Sequence, residues 1–569
     1  MGLGSGTASM RGGVEQYPDC PNLATLMFRS ARRWSGKTML RYHRDGSWHG
    51  IGWTEFARRA ASVARRLRAD GIAAGDRVLL VSESRPEVPI LETALMAIRA
   101  VPVPAYPTNT PEDHAHLLRD SGARVAVTST LALADRVLGG ARLVGGLDRL
   151  YCMQNGPHPA FAELEADTAG PDDIEAEAEL IPPGALACLI YTSGTSGLPR
   201  GVMLPHRAIL ANCRGAFELV RPLKLRDEIY LSFLPLSHSY EHTVGQFFLM
   251  SLGSEIVYSR GVEHLAADLL TVRPTVLTVV PRILEVIRAR ILSGVQRETP
   301  FRQRLFRMAL ESGLRRVAGR PRLLDRIGDP VLDRVVRSKV RARFGGRLRV
   351  AMSGGARLDP EVGRFFVALG ITLFQGYGQT EAGPVIAANP SDARRIETVG
   401  FALPGVELRI ADDSEIMVRG DLVMDGYWGQ PEATSAAIED GWLHTGDLGM
   451  LDGEGYLTIT DRKKDILVLS GGENVSPARI EGALMSEPEI AQAVVYGDGQ
   501  ASLSALVVPA EGGDARTVGD AVARVNARLS VTERVRKHRL VPPFTVENGL
   551  LTPSQKIRRT LVLRTHGTL

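Results

Sequence analysis

Five short stretches of this 569-residue chain hold residue types that can do chemistry together. "YTSGTSGLPRG", Tyr191 to Gly201, sets Gly194 and Gly197 among Thr192, Ser193, Thr195 and Ser196, then adds the fixed charge of Arg200. Glycines let several backbone N–H groups converge on one point, and the hydroxyls add donors and metal-facing oxygens. Together these suit a polyphosphate. The stretch is not a Walker A loop, because GxxxxGK followed by Ser or Thr does not match, and GxGxxG is absent too. A solvent-exposed Gly/Ser loop explains the composition equally well. In "FQGYGQTEAGPV", Glu381 is one acid in an otherwise uncharged, Gly-rich turn. Such an acid can hold Mg²⁺ against phosphates, since Mg²⁺ takes few protein carboxylates and keeps its waters. Alone, it also reads as a helix N-terminal charge. "GWLHTGDLG" places Asp447 in a turn, where a carboxylate can accept from two ribose hydroxyls or simply close an Asx turn. "DRKKDILVLSGGEN" gathers Arg462, Lys463 and Lys464 into a basic cluster or a solvated charge run. In "GLLTPSQKIRR", Lys556 follows a Thr-Pro-Ser turn in a basic tail, where a single lysine is ordinarily surface decoration.

Such residues need a scaffold. Apolar runs such as "DRVLLVSES" and "ARVAVTST" predict buried parallel strands. "WTEFARRAASVARRLRADG" predicts an amphipathic helix with Phe56, Ala60, Val63 and Leu67 on one face. Strand and helix signals alternate over most of the length, which predicts an α/β fold, and the length itself calls for more than one core. A hydrophobic content of 44% with 23% charged residues suits a globular protein. The net charge of +4 is small for this length, so nothing global points to nucleic acid. There is no apolar run of about 18 residues to span a membrane. Residues 1–16 lack the apolar stretch of a secretory signal and predict a flexible tail. Four cysteines, far apart and without a CxxC pair, predict a reduced, cytoplasmic compartment.

The segment from Arg288 to Arg349 stands apart. Its 18 Lys/Arg against 5 Asp/Glu leave a local excess of +13, and helical runs such as "FRQRLFRMALESGLRRVAG" dominate it. It reads as a solvated helical face, or as a surface for anionic partners, either phospholipid or the phosphates of a nucleotide-like substrate. A boundary falls near "ITDRKKDILVLSGGENVSP". The roughly hundred residues after it carry short strands of their own ("QAVVYG", "SALVVPA"), enough for a small second domain.

In combination and order the five stretches resemble the acyl-adenylate-forming superfamily, which includes acyl-CoA synthetases, nonribosomal peptide adenylation domains and beetle luciferases. The likeness runs from about Tyr17 to Arg559. It is strongest to long- or medium-chain fatty acyl-CoA synthetases, through "AYPTNTPE", "LPLSHSYEHTVG", "PTVLTVVPRILEVI", "RVAMSGGARL" and "SGGENVSPARIE". The resemblance implies an N-terminal adenylation domain over residues 17–463, built of layered sheets and helices, and a small mobile α+β domain over 464–569. It also implies a reaction: ATP and a fatty acid give acyl-AMP, and the acyl group then passes to coenzyme A. ATP would sit on Thr192, Ser193, Gly194, Thr195, Ser196, Gly197 and Arg200, between "SGGA" (Gly354, Gly355, Ala356) and "GYGQT" (Gly376, Tyr377, Gly378, Thr380). Asp447 and Arg462 would hold the ribose, and Thr195 and Glu381 Mg²⁺. Lys556 would bridge the carboxylate and the α-phosphate, and His238 would close the acyl pocket. Lys464 would be the hinge about which the small domain turns, bringing Gly471, Gly472 and Glu473 to serve CoA.

Two positions depart from the pattern. Arg200 stands where the phosphate loop usually ends in Lys, replacing a point charge by a fork donor. His242 stands where long-chain enzymes often carry Arg. The adenylation motifs equally fit an enzyme that loads a carrier-protein thiol. A nucleotide-binding regulator that has lost its chemistry is disfavoured by the joint presence of Glu381, Asp447, Arg462 and Lys556. The basic segment adds peripheral membrane contact to the expected partners.

Overall fold

The helix expected from "WTEFARR" forms over Trp53–Ala69, and Phe56, Ala60, Val63 and Leu67 are all fully buried. The runs "DRVLLVSES" and "ARVAVTST" become the strands Arg77–Val81 and Val125–Thr128, which pair in parallel at the centre of a four-stranded sheet. These elements belong to a computed structural model that describes residues 16–192, 198–391, 393–471, 473–552 and 556–567, apart from the side chains of residues 324, 326 and 327. Of the tail expected over 1–16, only Gln16 falls within them.

A nine-stranded sheet carries most of the candidate site. Its central strands Leu373–Gly378, Val350–Ser353, Val276–Val279, Ile229–Ser232, Glu255–Tyr258 and Thr38–Arg44 run parallel, with antiparallel strands at both edges. Parallel strands buried on both faces read as continuous apolar runs, and Val276–Val279 is buried at every residue. A three-stranded antiparallel sheet (Leu186–Thr192, Arg200–Pro205, Gly426–Tyr427) frames the Gly/Ser loop. A further antiparallel sheet carries Trp442–Leu451 and Leu457–Arg462.

The basic segment folds as the helices Pro281–Gln296, Pro300–Val317, Leu323–Leu332 and Ser338–Ala342. It is fastened to the body by Arg337, whose side chain is fully buried. Arg337 donates to the carbonyls of Ala309 and Ala368 at 2.9 and 3.1 Å, to Ser312 Oγ at 3.1 Å and to Asp329 Oδ1 at 2.8 Å.

Beyond Lys464 the chain builds a sheet of Ile490–Tyr496, Leu503–Pro509 and Val535–Leu540, with the helices Pro477–Met485, Ala515–Asn526 and Arg559–Thr565. Two buried apolar clusters lie wholly within this part, and the three others lie wholly before it. Two bodies with separate cores can shift against each other without exposing either core. Among the described residues no helix is long and apolar enough to cross a membrane. All four cysteines are free and buried.

Candidate active site

Asp447 lies inside the strand Trp442–Leu451, a correction to the turn expected from "HTGDLG". Gly446, at φ 69°, absorbs the kink, and the strand keeps its pairing with Leu457–Arg462. Asp447 is therefore cross-strand from Arg462, whose Nε donates to Oδ1 at 2.8 Å. Tyr377 Oη donates to Oδ2 at 2.8 Å, and burial, with the neighbouring Asp447 charge, drives its phenol well above the ordinary range. Both oxygens of a buried carboxylate are thus engaged, and the group is held in one orientation.

Tyr377 comes from "GYG" on the strand Leu373–Gly378. A side chain at Gly378 is excluded, because a Cβ there would lie 1.9 Å from the Pro384 carbonyl. Glu381 follows in a short 3-10 turn, Thr380–Ala382, and accepts from Tyr427 Oη on Oε1 at 2.9 Å. No hydrogen bond to Oε2 is found among the described residues, which leaves one hard oxygen of the kind Mg²⁺ takes. Thr380 and Ser239 share a hydroxyl–hydroxyl bond of 2.9 Å that ties this turn to the loop carrying His238.

His238 Nδ1 accepts the backbone N–H of Tyr240 at 3.2 Å. Burial, with help from the charge of Lys556, holds the imidazole down to about 3. His238 is therefore neutral at physiological pH with its proton on Nε2, a donor that can serve a carboxylate. The ring of Tyr240 occupies the space a Cβ at Gly354 would need, at 2.9 Å, and its hydroxyl donates to the Met352 carbonyl at 2.9 Å. The "SGGA" turn and the His238 loop are packed on each other through this one residue.

Lys556 arrives from the small domain. Protein crowds it, yet its surface stays accessible to solvent at the domain junction. Burial is the main cause that brings its ammonium down to about 8, and the Arg462 guanidinium adds to it, while Asp447 and Glu381 pull the other way. Thus Lys556 feels the charges of Arg462, Asp447 and Glu381 and acts in turn on His238, although these residues are spread over more than three hundred positions of sequence. A second link between the domains is Arg282 Nη1, which donates to the Ala491 carbonyl at 3.4 Å. An ammonium among two carboxylates, a guanidinium and an uncharged donor can stabilise an anion shared by both domains.

Arg200 pairs with Thr192 across its hairpin and stacks over the Tyr427 ring at 5.3 Å, joining the phosphate-loop arm to the partner of Glu381. Ser193, Gly194, Thr195, Ser196, Gly197 and Gly472 lie outside the described residues. Lys463 Nζ bonds Asp413 at 2.6 Å and Glu415 at 3.1 Å, whereas Lys464 next to it is exposed. Gly471 and Glu473 are exposed on the hairpin Leu467–Val468/Asn474–Val475. Among the described residues the hydrogen bonds of that hairpin, such as Leu469 N–H to the Glu473 carbonyl and Ser470 N–H to the Gln500 carbonyl, stay within the small domain. The structure does not bring this pair to Lys556.

Several residues had no chemical signal in the sequence. Tyr427 sits in "DGYWG", which reads as an ordinary turn and gives the tyrosine no visible partner. Glu241, fully buried, accepts from Tyr230 at 2.6 Å, Ser232 at 2.6 Å and Thr278 at 2.8 Å, and burial pushes it up to about 7. His242, marked in the sequence only as a departure from the family pattern, is also fully buried. Its Nε2 lies 3.1 Å from Glu92 Oε1, and Gln246 donates to the other Glu92 oxygen at 2.6 Å.

The chain matches the AMP-binding enzyme family over residues 27–428 and the AMP-binding enzyme C-terminal domain over 464–566. It is 34% identical to the long-chain-fatty-acid–CoA ligase FadD15 of Mycobacterium bovis, covering 95% of each chain. It is 30% identical to the peroxisomal long chain acyl-CoA synthetase 6 of Arabidopsis thaliana, over 96% of this chain and 85% of that protein. Among solved structures, ATP-bound MatB from Rhodopseudomonas palustris superposes with a TM-score of 0.72 at 24% identity, covering 96% of this chain and 99% of that one. The adenylation domain of a carboxylate reductase from Mycobacterium chelonae gives 0.75 at 23%, covering 96% and 90%.

Proposed function

The chain belongs to the AMP-binding enzymes, and from that premise we propose that it joins a long- or medium-chain fatty acid to coenzyme A in two steps. A fatty carboxylate is a poor acyl donor because oxide is a poor leaving group. In the first step a carboxylate oxygen attacks the α-phosphorus of ATP, and the bond to the β-phosphate breaks to release pyrophosphate. In the second the CoA sulfur attacks the carbonyl carbon of acyl-AMP. AMP leaves and the thiol proton passes to solvent.

The observation that carries this reading is the meeting of Lys556 with Glu381, Asp447, Arg462 and His238 at the domain junction. The first step brings anionic reactants together, so positive charge placed where negative charge develops is the main requirement. Lys556 supplies it between carboxylate and α-phosphate, and neutral His238 donates to the carboxylate from Nε2. Asp447, oriented by Tyr377 and Arg462, accepts from the ribose hydroxyls. The 193–197 loop and Arg200 take the β- and γ-phosphates, and the "SGGA" and "GYG" turns flank adenine. Glu381 and Thr195 are the residues that would hold Mg²⁺, which, when bound, neutralises phosphate charge. The small domain then turns about Lys464, withdrawing Lys556 and presenting Gly471, Gly472 and Glu473 to CoA.

Four free cysteines support a reduced, cytoplasmic setting. Peripheral contact with an anionic membrane is supported by exposed Phe301, Met308, Leu323 and Val331 beside Arg304, Arg307, Arg320 and Arg334. Salt-sensitive pelleting with anionic vesicles tests that contact, and no binding at low salt defeats it. The function itself is tested by pyrophosphate release over acids from acetate to long-chain fatty acids, with CoA or a phosphopantetheinylated carrier protein as acceptor. Thioester formed with CoA only on fatty acids is the expected result. Thioester formed only on the carrier would reassign the acceptor.

A further inference from the structure

Lys556 is presented at the tip of a short antiparallel return. Leu551 bridges Ile557, Thr552 N donates to the Lys556 carbonyl at 2.8 Å, and Lys556 N donates to Thr552 Oγ1 at 3.0 Å. Arg558 N closes the base on the Leu550 carbonyl at 2.9 Å. Apolar packing of Leu550, Leu551, Val562 and Leu563 against Val494, Leu506 and Val508 buries the return, but such contacts have no direction. Direction comes from Arg559, three residues past the lysine. Its Nη2 donates to both oxygens of Glu481 at 2.7 Å, and its Nη1 to the Val495 carbonyl at 2.7 Å. Glu481 Oε1 in turn accepts the Val495 N–H at 2.6 Å.

Val495 lies on Ile490–Tyr496, an edge strand of the small sheet. The N–H and C=O that a missing neighbour strand would satisfy are instead taken by one carboxylate and one guanidinium. The planar guanidinium, with Nη2 on the carboxylate and Nη1 on the carbonyl, fixes the angle between its two partners as well as the distance. Glu481 sits on Pro477–Met485, the helix that follows directly on the hairpin carrying Gly471 and Glu473. The segment proposed to serve CoA and the segment bearing Lys556 are therefore bolted together at Val495.

We infer that Glu481 and Arg559 are positioning residues for acyl-AMP formation, holding Lys556 in register through the free edge at Val495. The inference rests on the adenylation role proposed above for Lys556. Two conservative variants test it: Arg559→Lys keeps the charge but loses the fork, and Glu481→Gln keeps the shape but loses the charge. ATP–pyrophosphate exchange with a fatty acid should fall on the order of 10-fold to 100-fold, as expected for a reacting group displaced by about an ångström. Thioester formation from supplied acyl-AMP and CoA should stay near the wild-type rate. A merely structural role would lower both half-reactions together, and that result, or unchanged exchange in both variants, overturns the inference. A second readout is independent of turnover. The pH midpoint for amine-directed labelling of Lys556, followed by mass spectrometry, should rise from about 8 toward about 10.4, the ordinary lysine value. A wild-type protein with no exchange on any fatty acid would defeat the functional reading alone. The labelling midpoint would then decide the clamp, an unmoved midpoint counting against it.

Discussion

On the large-domain side of the junction, Asp447, Tyr377 and Arg462 are wired together by hydrogen bonds of 2.8 Å, and Tyr427 holds Glu381 at 2.9 Å. On the small-domain side a single ammonium arrives on a return held from below by Arg559 and Glu481. The first wall is held by bonds of its own: Arg462 and Tyr377 orient Asp447, and Tyr427 orients Glu381 through one of its two oxygens. For the second, the carboxylates among the described residues that favour the charged form of Lys556, Asp447 and Glu381, both belong to the other domain. In the proposed reaction the first wall would bind the nucleotide in both half-reactions and is best built rigid, whereas a charge proposed for one half-reaction is best carried on something that can leave.

The sharpest way to break this contrast is Lys556→Ala. Acyl-AMP formation should fall by about 10²–10³-fold, the usual loss when one preorganised charge is removed from a transition state. Thioester formation from preformed acyl-AMP should be spared, and equal loss of both would put Lys556 on the fixed wall. Lys464→Pro attacks the motion itself. Proline fixes φ at the first residue beyond the Lys463 clasp, and the second half-reaction should slow by about ten-fold or more, a barrier increase of about 1.4 kcal/mol, with exchange much less affected. An unchanged partition between half-reactions would count against the hinge.

Titration separates the walls without a mutation. Burial and Arg462 hold Lys556 down to about 8, so its ammonium is lost as pH rises through that value. The kcat/KM for acyl-AMP formation, which reports the free enzyme, should fall above about pH 8. Lys556→Arg should remove that alkaline limb, because a guanidinium does not titrate there. The smallest effect belongs to Arg200→Lys on the fixed wall. The lost stacking over Tyr427 is worth about 0.5–1 kcal/mol, a two- to five-fold rise in KM for ATP. No change would show that charge alone suffices at this position.

What was legible in the sequence is the family, through the order of five stretches. Taken singly, Glu381 reads as a helix N-terminal charge, Asp447 as an Asx turn and Lys556 as surface decoration, and only their combination marks them as candidates. The strands "DRVLLVSES" and "ARVAVTST" and the Trp53–Ala69 helix were legible from apolar periodicity. What the sequence did not carry are pairings between distant residues that look ordinary where they stand. Nothing near Tyr427 marks it as the partner of Glu381, and nothing near Glu481 marks it as the partner of Arg559, 78 residues away. The glycine beside Asp447 predicts a turn, but a glycine with positive φ can kink a strand without ending it.

Arg337 sets a limit on trimming this chain to a minimal catalytic unit. The basic segment has the look of a removable insert, yet its buried guanidinium satisfies the Ala368 carbonyl at the end of Pro360–Ala368, the helix that leads into the "GYG" strand. Cutting the segment out would orphan that carbonyl, and Arg337→Ala, which removes the buried donor from the Ala309 and Ala368 carbonyls, should cost about 1–3 kcal/mol, read as a lowered Tm. A shortened or repacked variant would have to supply another donor to the Ala368 carbonyl, whereas Asp329, partly exposed, keeps Arg316 and Ser312 as partners.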